Sequence, residues 1–484
     1  MDFGEIAEYN GKIQSSAMTK LQILVTALLA ASSSALVTKD GKTGKLPALG
    51  FNSWNAFHCD IHEDKFLVAA QKMIDLGLKD AGYEYVNIDD CWSLHERDNK
   101  TQRIIPDPER FPEGISGTAK KIHDLGLKLG IYSDAGSLTC AGYPGSLGYE
   151  DIDAQTWEEW GVDYLKYDNC NVPDSWKDQY QYNPEYWYGD HENQEGGTPA
   201  PAGYDWATSA TAERYNRMRD ALNRRDQGSS ILYSLCNWGQ SHVERWANNT
   251  GQSWRMWGDI APQWEGRPVS WAWGFMPILN HGLFHLQYNG FWGHNDLDML
   301  EVGNGNITTE ETRSHFGLWA ALKSPLLIGT PLDQITPTDV AILKNWEILA
   351  FNQDDVYGAP ALPYKWGVNP DWTWNQTHPA EYYSGASKRG IHAFILNTLN
   401  ETVTKAAVFS EIPGLNPKKA YEVSDMWTHK KLGVFKKKYQ FKLKAHDTAA
   451  LLFTEKGGKH PHPEELPLPE VYQKKPKRWV QAQI

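Results

Sequence analysis

The chain has 484 residues, a formal net charge of −13 at pH 7, and 22 Trp and 23 Tyr against 15 Phe. The length allows more than one domain, and the negative charge argues against nucleic acid as a partner, because phosphate backbones bind clustered cations. Tryptophan and tyrosine combine an apolar face with a polar edge, so their abundance favours partly polar ligands such as sugars; a large aromatic core is the alternative.

Residues 1–35 are expected to form a leader that contains a secretory signal peptide. Lys20 precedes the ten-residue apolar stretch LQILVTALLA, and Ser33 and Ala35 are small residues of the kind that a signal peptidase requires. Ten apolar residues are too few to cross a bilayer as a helix. We therefore predict cleavage near Ala35, a secreted extracellular protein, and no membrane anchor.

Residues 45–352 alternate between short apolar runs and amphipathic stretches such as EDKFLVAAQKMIDLGLKDAG, a pattern that predicts strands and helices of a parallel sheet. The eight predicted strands are 48–54, 83–92, 127–136, 162–170, 231–239, 253–260, 291–300 and 325–332. Eight units predict an α/β fold of the (β/α)8 TIM barrel type. An open doubly wound sheet is the alternative, but it would need a glycine-rich phosphate loop where this chain reads GFNSWNAF.

Two further regions follow from the pattern. Residues 353–455 contain strands separated by turn residues, and YQFKLKA alternates apolar and polar positions, which predicts a small all-β antiparallel sandwich domain after the barrel. Residues 456–484 are rich in Pro, Lys and His and are predicted to form a disordered tail. The long, aromatic-rich loop over 174–206 follows the fourth strand, where a rim that contacts ligand is expected.

The cysteines and glycosylation sequons are interpreted in the light of secretion. Five cysteines are present, at positions 59, 91, 140, 170 and 236, so in an oxidising compartment four can pair and one is left over. Sequons begin at Asn99, Asn248, Asn306, Asn375 and Asn400. In a secreted chain we expect glycans on some of them.

Carboxylates gather where the predicted barrel strands end. They are Asp89, Asp90, Asp134, Asp168, Asp259, Asp296 and Asp298. A single such aspartate is commonly only a helix cap, but the carboxyl ends of barrel strands meet on one rim, where active sites form. No phosphate loop, histidine-rich metal set or Ser-His-Asp order accompanies them, so no metal or organic cofactor is expected. Clustered carboxylates beside Trp and Tyr suggest carbohydrate chemistry.

The segment YLKYDNCN places Lys166 and Asp168 two positions apart in the fourth strand, so both side chains face the same way. The ammonium would favour an ionised aspartate, and an ionised, oriented carboxylate is what a glycosidase nucleophile requires. A structural ion pair is the alternative.

Seven motifs together resemble the α-galactosidases, or melibiases, of glycoside hydrolase family 27. They are GFNSWNAF, NIDDCW, LGIYSDAGSLTCAGYPGS, DYLKYDNC, LCNWG, SWRMWGDI and DLDMLEVGNG, and they follow the family's order. The resemblance covers roughly residues 45–455. It implies a retaining exo-glycosidase for terminal α-D-galactose of melibiose, raffinose or galactomannan, with Asp168 as nucleophile and Asp259 as general acid/base. It says nothing about the oligomeric state.

The same resemblance implies the remaining site residues. Asp89 and Asp90 would bind the 4- and 6-hydroxyls of galactose, and Arg255 would hold the 2-hydroxyl. The other implied pocket residues are Trp54, Tyr132, Cys140, Lys166, Cys170, Asn237, Trp238 and Asp298. The family's disulfides map onto Cys59–Cys91 and Cys140–Cys170, the second lining the pocket, which leaves Cys236 free and buried.

Two positions distinguish this chain from relatives that have other activities on the same scaffold. Relatives that act on α-N-acetylgalactosaminides use small residues at the wall facing C2, where this chain has the bulky Trp238. β-L-Arabinopyranosidase relatives differ at the second aspartate of NIDD, which this chain keeps as Asp90. A catalytically silent sugar-binding protein is the remote alternative. Trp257 and Leu297 depart from the family's usual residues and bear on the preferred leaving group.

Overall fold

The computed structural model describes residues 35–181, 198–224 and 230–455. The predicted signal peptide before Ala35, the middle of the loop over 174–206 and the predicted tail over 456–484 lie outside these residues, so those three expectations stay predictions. The proposed domain boundary at residue 352 also stays a prediction.

Eight parallel strands form one sheet, and this arrangement confirms the predicted barrel. The strands are β1 (Leu49–Asn52), β2 (Tyr85–Asn87), β3 (Lys128–Asp134), β4 (Tyr164–Asp168), β5 (Leu232–Leu235), β6 (Ser253–Arg255), β7 (His294–Asp296) and β8 (Leu326–Ile328). Their order in the sheet is β7-β6-β5-β4-β3-β2-β1-β8. Leu300, just beyond β7, closes the seam by a parallel bridge to Ile328, and its amide donates to the carbonyl of Leu327 at 2.7 Å.

Helices pack around this sheet. They are α1 (Ser53–Phe57), α2 (Glu63–Asp75), α3 (Gly114–Asp124), α4 (Glu150–Trp160), α5 (Ala210–Asn223), α6 (Phe275–Leu283), α7 (Thr309–Ala321), α8 (Pro337–Leu343) and α9 (Trp346–Asn352). Local sequence explains several of their starts: α7, for example, begins with a capping box between Thr308 and Glu311. Within the described ranges, no helix is long and apolar enough to span a bilayer.

Alternation along each barrel strand separates the core from the site. On β4, Leu165 and Tyr167 are fully buried in the apolar core, whereas Lys166 lines a cavity inside the barrel. Because neighbouring side chains of a strand point to opposite faces, polar residues can converge on the barrel axis while apolar ones pack against the helices.

The C-terminal region forms the predicted antiparallel β domain. Its strands are β9 (Leu362–Lys365), β10 (Tyr382–Ser387), β11 (Gly390–Leu396), β12 (Val403–Val408), β13 (Ala420–Asp425), β14 (Lys430–Lys436), β15 (Lys438–Leu443) and β16 (Thr448–Thr454). Six of them form a sheet in the order β9-β10-β11-β16-β13-β14, and β12 pairs with β15. This domain contacts α7 through a hydrogen bond of 2.7 Å between the hydroxyls of Ser314 and Thr448.

Candidate active site

The structure brings most of the predicted site residues to one end of the barrel. Asp89 and Asp90 lie two and three residues beyond β2, Asp168 ends β4, and Arg255 ends β6. Cys236, Asn237 and Trp238 follow β5, and Asp298 lies two residues beyond β7. These positions are the carboxyl ends of parallel strands, where barrel enzymes build their sites.

Asn52 links the first strand to this cluster. Its side-chain oxygen accepts a hydrogen bond of 2.8 Å from the amide of Trp54, which begins α1 with Asn52 as the cap. Its amide group donates to Asp89 Oδ2 at 2.8 Å. One residue therefore fixes both the partly buried Trp54 and the Asp89 carboxylate. The sequence analysis assigned it no role, although it lies within the quoted motif GFNSWNAF and its cap position was readable.

Asp168 is the more buried of the two predicted catalytic carboxylates, with 5% of its surface exposed. The Tyr132 hydroxyl donates to its Oδ2 at 3.0 Å, and the amide of Asn169 donates to its Oδ1 at 3.0 Å. Burial raises the pKa of Asp168 to about 7, while the positive charge of Lys166 opposes that rise and Asp259 adds to it. Asp168 is thus a fixed carboxylate whose proton affinity depends on its charged neighbours.

Lys166 forms its ion pair with a different carboxylate from the one that the sequence suggested. Its Nζ donates to Asp89 Oδ2 at 2.8 Å, and the ammonium lies 5.2 Å from the centre of the Tyr132 ring. The correction has a simple cause: the long lysine side chain extends into the barrel, where β2 presents Asp89. The positive charge of Lys166 still favours the ionised form of Asp168, as expected, although the two groups do not form a direct ion pair.

Replacing Lys166 by methionine is expected to shift the acidic limb of the kcat/KM–pH profile to higher pH. Asp168 must be ionised to act as a nucleophile. The substitution removes the positive charge that lowers the pKa of Asp168. It also leaves Asp89 without its ion-pair partner, and the negative charge of Asp89 raises the pKa of Asp168. Both effects have the same sign, so we expect a shift of about one pH unit or more on an aryl α-galactoside.

Lys128→Met provides the matched control for this pH profile. Lys128 is paired with Glu84 at 2.8 Å, at the start of the neighbouring strand β3 and hence at the opposite end of the barrel. The acidic limb of the kcat/KM–pH profile of Lys128→Met should coincide with that of the wild type. If the acidic limb of Lys166→Met stays at the wild-type pH or moves to lower pH, Lys166 does not stabilise the ionised form of Asp168.

Asp90 is held by backbone amides. Its Oδ1 accepts from Cys91 at 2.7 Å and its Oδ2 accepts from Ala141 at 2.9 Å. Burial raises its pKa, and these hydrogen bonds oppose that effect. The carboxylate therefore has a fixed direction and ties β2 to the loop that carries Cys140.

Both predicted disulfides are present. Cys59 bonds to Cys91 and Cys140 bonds to Cys170, with Cα–Cα distances of 5.3 and 5.0 Å. Cys236 is free and buried, as predicted, and accepts a hydrogen bond of 3.6 Å at Sγ from Arg255. The second disulfide joins the loop after β3 to the residue two positions beyond Asp168 and so fixes the surroundings of that carboxylate.

Asp134 plays a supporting part that the sequence left undecided. It is fully buried at the end of β3, directly beside Asp168 in the strand register. Its carboxylate accepts hydrogen bonds from the amides of Gly136 at 2.6 Å and Cys170 at 2.9 Å. Burial and the adjacent Asp168 raise its pKa well above the usual range. It holds the loop that follows Asp168.

The groups around Asp168 do not have the ligand set of a zinc site. Within the described residues, the one cluster with suitable spacing combines Asp134, Cys140, Asp168 and Cys170. The two sulfurs are bonded to each other, so neither is a thiolate ligand. Two carboxylates remain, fewer than the protein ligands that catalytic zinc sites use.

Asp259 does not extend β6, as the predicted strand over 253–260 implied. The strand ends at Arg255, and Asp259–Ile260 pairs instead with Ala272–Trp273 in a separate two-stranded ribbon. A Cβ at Gly258 would lie 2.9 Å from the carbonyl oxygen of Trp271, so only glycine allows this close approach. The break leaves the Asp259 side chain 39% exposed.

Arg255 connects the end of β6 with two carboxylates. Its Nη2 lies 2.8 Å from Asp259 Oδ1 and 3.0 Å from Asp298 Oδ2. Asp298 in turn accepts from the amide of Ile260 at 2.8 Å, and its own amide donates to Asp296 Oδ1 at 2.8 Å. Asp298 therefore anchors the ribbon that carries Asp259. Asp296, whose pKa burial raises to about 6, was seen in the sequence but given no role.

The wall after β5 is a tight turn. The Asn237 amide group donates to the carbonyl of Gln240 at 2.9 Å, while Trp238 has a φ of 55° and Gly239 a φ of 81°. A Cβ at Gly239 would meet the carbonyl oxygen of Met256 at 2.0 Å. Glycine is thus required where this turn meets the segment after β6, and Trp238 is held in a left-handed conformation.

Between these strands lies a small cavity of about 20 Å³. Its polar lining residues are Asn52, Tyr164, Lys166, Ser234, Cys236, Arg255, Asp296 and Asp298. Asp168 and Asp259 are not among its lining residues, but both lie at this end of the barrel, and the negative charge of Asp259 raises the pKa of Asp168. Two carboxyl groups can act as nucleophile and proton donor in a glycosidase. Burial raises the pKa of Asp168 and so works against its ionised form, and the assignment of the two roles therefore rests on the resemblance.

Two family models match the chain. The one described as Alpha galactosidase A matches residues 46–188 and 202–354, and the one described as Alpha galactosidase C-terminal beta sandwich domain matches residues 377–453. "Probable alpha-galactosidase B" of Penicillium simplicissimum is 54% identical over 447 residues, which cover 90% of this chain and 99% of that protein.

Solved structures agree in fold. The crystal structure of alpha-galactosidase I from Mortierella vinacea is 36% identical, with a TM-score of 0.73, over 87% of this chain and 99% of that one. The structure of an α-galactosidase from Saccharomyces cerevisiae with raffinose is 29% identical, with a TM-score of 0.74, over 87% and 100% of the two chains.

Proposed function

This chain belongs to the α-galactosidase family of glycoside hydrolases, and we propose that it is a retaining exo-glycosidase that removes terminal, non-reducing α-D-galactose. The substrate class is galacto-oligosaccharides of the melibiose and raffinose type and galactomannan side chains. The observation that carries the proposal is the presence of two carboxylates at the carboxyl end of the barrel: Asp168, buried and held by Tyr132, and Asp259, partly exposed and bonded to Arg255.

In the first step, Asp168 attacks the anomeric carbon of galactose while Asp259 gives its proton to the glycosidic oxygen. The bond from carbon to the leaving sugar breaks, and a β-linked galactosyl ester forms on Asp168. In the second step, Asp259 removes a proton from water, which displaces Asp168 and releases α-galactose. Arg255, bonded to Asp259 at 2.8 Å, supports the ionised carboxylate that forms between the two steps.

Recognition of galactose is assigned to the buried polar groups around Asp168. Asp89 and Asp90, fixed by Lys166 and by backbone amides, would bind the 4- and 6-hydroxyls. Trp54 would cover the apolar face of the ring. Lys166, Tyr132, Arg255 and Asp298 would contact the remaining hydroxyls, and Cys140–Cys170 would line the edge. Asn237 and Trp238 would face C2, where the indole leaves no room for an N-acetyl group.

Asp90→Asn is expected to lower kcat/KM on nitrophenyl α-galactoside by about 10²-fold or more, because a charged acceptor for a sugar hydroxyl is lost. The wild type should favour the α-galactoside over the α-glucoside by about 10⁴-fold, since the epimer leaves a buried carboxylate unpaired. It should also turn over α-N-acetylgalactosaminide and β-L-arabinopyranoside poorly. Steady-state kinetics on the four substrates test the proposal.

Asp64→Asn is the control for this series, because Asp64 is an exposed carboxylate on α2. It should match the wild type, and circular dichroism melts should show both variants folded. A wild type that prefers the α-glucoside or the N-acetylgalactosaminide would refute the specificity, and an unaffected Asp90→Asn enzyme would refute the pocket assignment. A protein that binds galactose without turnover would be a sugar-binding protein instead.

We further infer export through an oxidising compartment. The apolar stretch after Lys20 supports this inference, as do the disulfides Cys59–Cys91 and Cys140–Cys170. The sequon residues Asn99, Asn306 and Asn400 are exposed, as glycan acceptors must be.

A further inference from the structure

Asp298 has an uncommon backbone conformation two residues beyond β7. Its φ is 76°, in the left-handed region that residues other than glycine adopt infrequently. Its amide donates to Asp296 Oδ1 at 2.8 Å, and Trp319 Nε1 donates to its carbonyl oxygen at 3.0 Å. These hydrogen bonds hold the backbone on both sides of the residue, so the direction of the Asp298 carboxylate is fixed.

The Asp298 carboxylate contacts the same guanidinium group as Asp259. Arg255 Nη2 lies 3.0 Å from Asp298 Oδ2 and 2.8 Å from Asp259 Oδ1. The side chains of Asp298 and Arg255 are each 5% exposed, whereas that of Asp259 is 39% exposed. Burial raises the pKa of Asp298, and Arg255 and the amide of Ile260 oppose that effect. One cation is therefore shared by a buried carboxylate and by the proposed proton donor.

The balance of charge links Asp298 to the protonation of Asp259. When Asp298 is ionised, it neutralises Arg255, so ionisation of Asp259 adds an excess negative charge to the group. The two carboxylates also repel each other. The other groups that interact with Asp259 are Asp168, which carries a further negative charge when ionised, and the thiol of Cys236, whose pKa burial raises. Asp298 therefore favours the protonated form of Asp259, which the first step of the proposed reaction requires.

We propose that Asp298 is a positioning residue that, by sharing Arg255, keeps Asp259 protonated for its role as general acid. This assignment rests on the proposed function and adds to it an electrostatic role for Asp298. Because the effect acts through the proton of Asp259, it should matter only for leaving groups that must be protonated as they depart. It should also depend on pH, which a purely structural role would not.

Asp298→Asn tests this role, because asparagine lacks the charge, keeps a side-chain oxygen for the Ile260 amide and tolerates a left-handed backbone. On raffinose, the basic limb of the kcat/KM–pH profile should move to lower pH by about one unit or more, since Arg255 would then stabilise ionised Asp259 alone. The loss should be about tenfold above this limb and small on the acidic side. On α-galactosyl fluoride, whose leaving group needs no proton, kcat/KM should stay within about twofold of the wild type.

Glu381→Gln is the matched control. Glu381 is also a buried carboxylate paired with a cation, Lys405 at 2.7 Å, but it lies in the C-terminal β domain. The pH profile of this variant on raffinose should coincide with that of the wild type. If Glu381→Gln shifts the basic limb as far as Asp298→Asn does, the shift is not specific to Asp298 and the proposal is overturned.

Two results with Asp298→Asn itself would also overturn the proposal. One is a basic limb that stays in place or moves to higher pH. The other is an equal loss on raffinose and the fluoride at every pH, which would show that Asp298 contacts galactose or only supports the ribbon. If Asp298→Asn does not fold, Asp298→Gly suits the same backbone and carries the same prediction. A wild type that is inactive on both substrates would instead refute the proposed function.

Discussion

Asp168→Ala is expected to lower kcat on any α-galactoside by more than about 10⁴-fold, because no group remains to form the glycosyl ester. The variant should fold, since burial raises the pKa of Asp168 and its ionised form is therefore destabilised in the native state at neutral pH. Thermal melts should show a midpoint at or above that of the wild type.

Azide identifies the lost group chemically. In Asp168→Ala it can enter the vacated space, attack the anomeric carbon and expel a dinitrophenolate leaving group, which forms one carbon–nitrogen bond as one carbon–oxygen bond breaks. A single displacement inverts the centre, so the product should be β-galactosyl azide. If azide restores activity in Asp168→Ala without inversion, or if this variant keeps activity near that of the wild type, another residue is the nucleophile.

Asp259→Ala is expected to have the second largest effect, and a selective one. On raffinose kcat/KM should fall by about 10²- to 10⁴-fold, the range of general acid catalysis. On dinitrophenyl α-galactoside or the fluoride, kcat/KM should change little, because those leaving groups need no proton. The basic limb of the pH profile should also disappear.

Azide again separates the two roles. In Asp259→Ala the ester on Asp168 still forms, so azide attacks it and gives α-galactosyl azide, with net retention. A uniform loss on all three substrates would mean that Asp259 binds substrate rather than protonating it. The matched comparison is the same azide reaction in Asp168→Ala, which must give the opposite anomer.

Local sequence predicted all eight barrel strands, although every predicted run extends two to five residues beyond the C-terminal end of its strand. Strands covered on both faces read as short apolar runs, and period-two alternation placed Lys166 and Asp168 on one face of β4. The partner of Lys166 could not be found in the same way. Asp89 lies 77 positions away in the sequence, and the barrel alone brings the two together.

The early end of the sixth strand, β6, could not be predicted from local sequence either. SWRMWGDI reads as one continuous strand, yet it breaks after Arg255, because Gly258 packs against the Trp271 carbonyl and the Trp273 ring. That contact, between segments 13 or more residues apart, moves Asp259 out of the barrel strand and into the two-stranded ribbon.

The disulfides and the division of roles between carboxylates came from resemblance rather than from pattern. Four paired cysteines among five allow many connectivities, and no spacing argument selects Cys140–Cys170. The structure supplies the pairing. It also supplies the surroundings of the two carboxylates, with Asp168 buried and Asp259 partly exposed, whereas their roles in the proposed mechanism rest on the resemblance.

The central claim, that Asp168 forms a covalent galactosyl ester, is tested most directly by trapping that ester. 5-Fluoro-α-D-galactosyl fluoride should load the enzyme quickly, because fluoride leaves readily, and unload it slowly, because the ring fluorine destabilises the cationic transition state. Mass spectrometry of the peptic digest should then show one added fluorogalactosyl group on the peptide that contains YLKYDNCN, at Asp168. A label on Asp259 or Asp134, or inactivation of Asp168→Ala at the wild-type rate, would contradict the account.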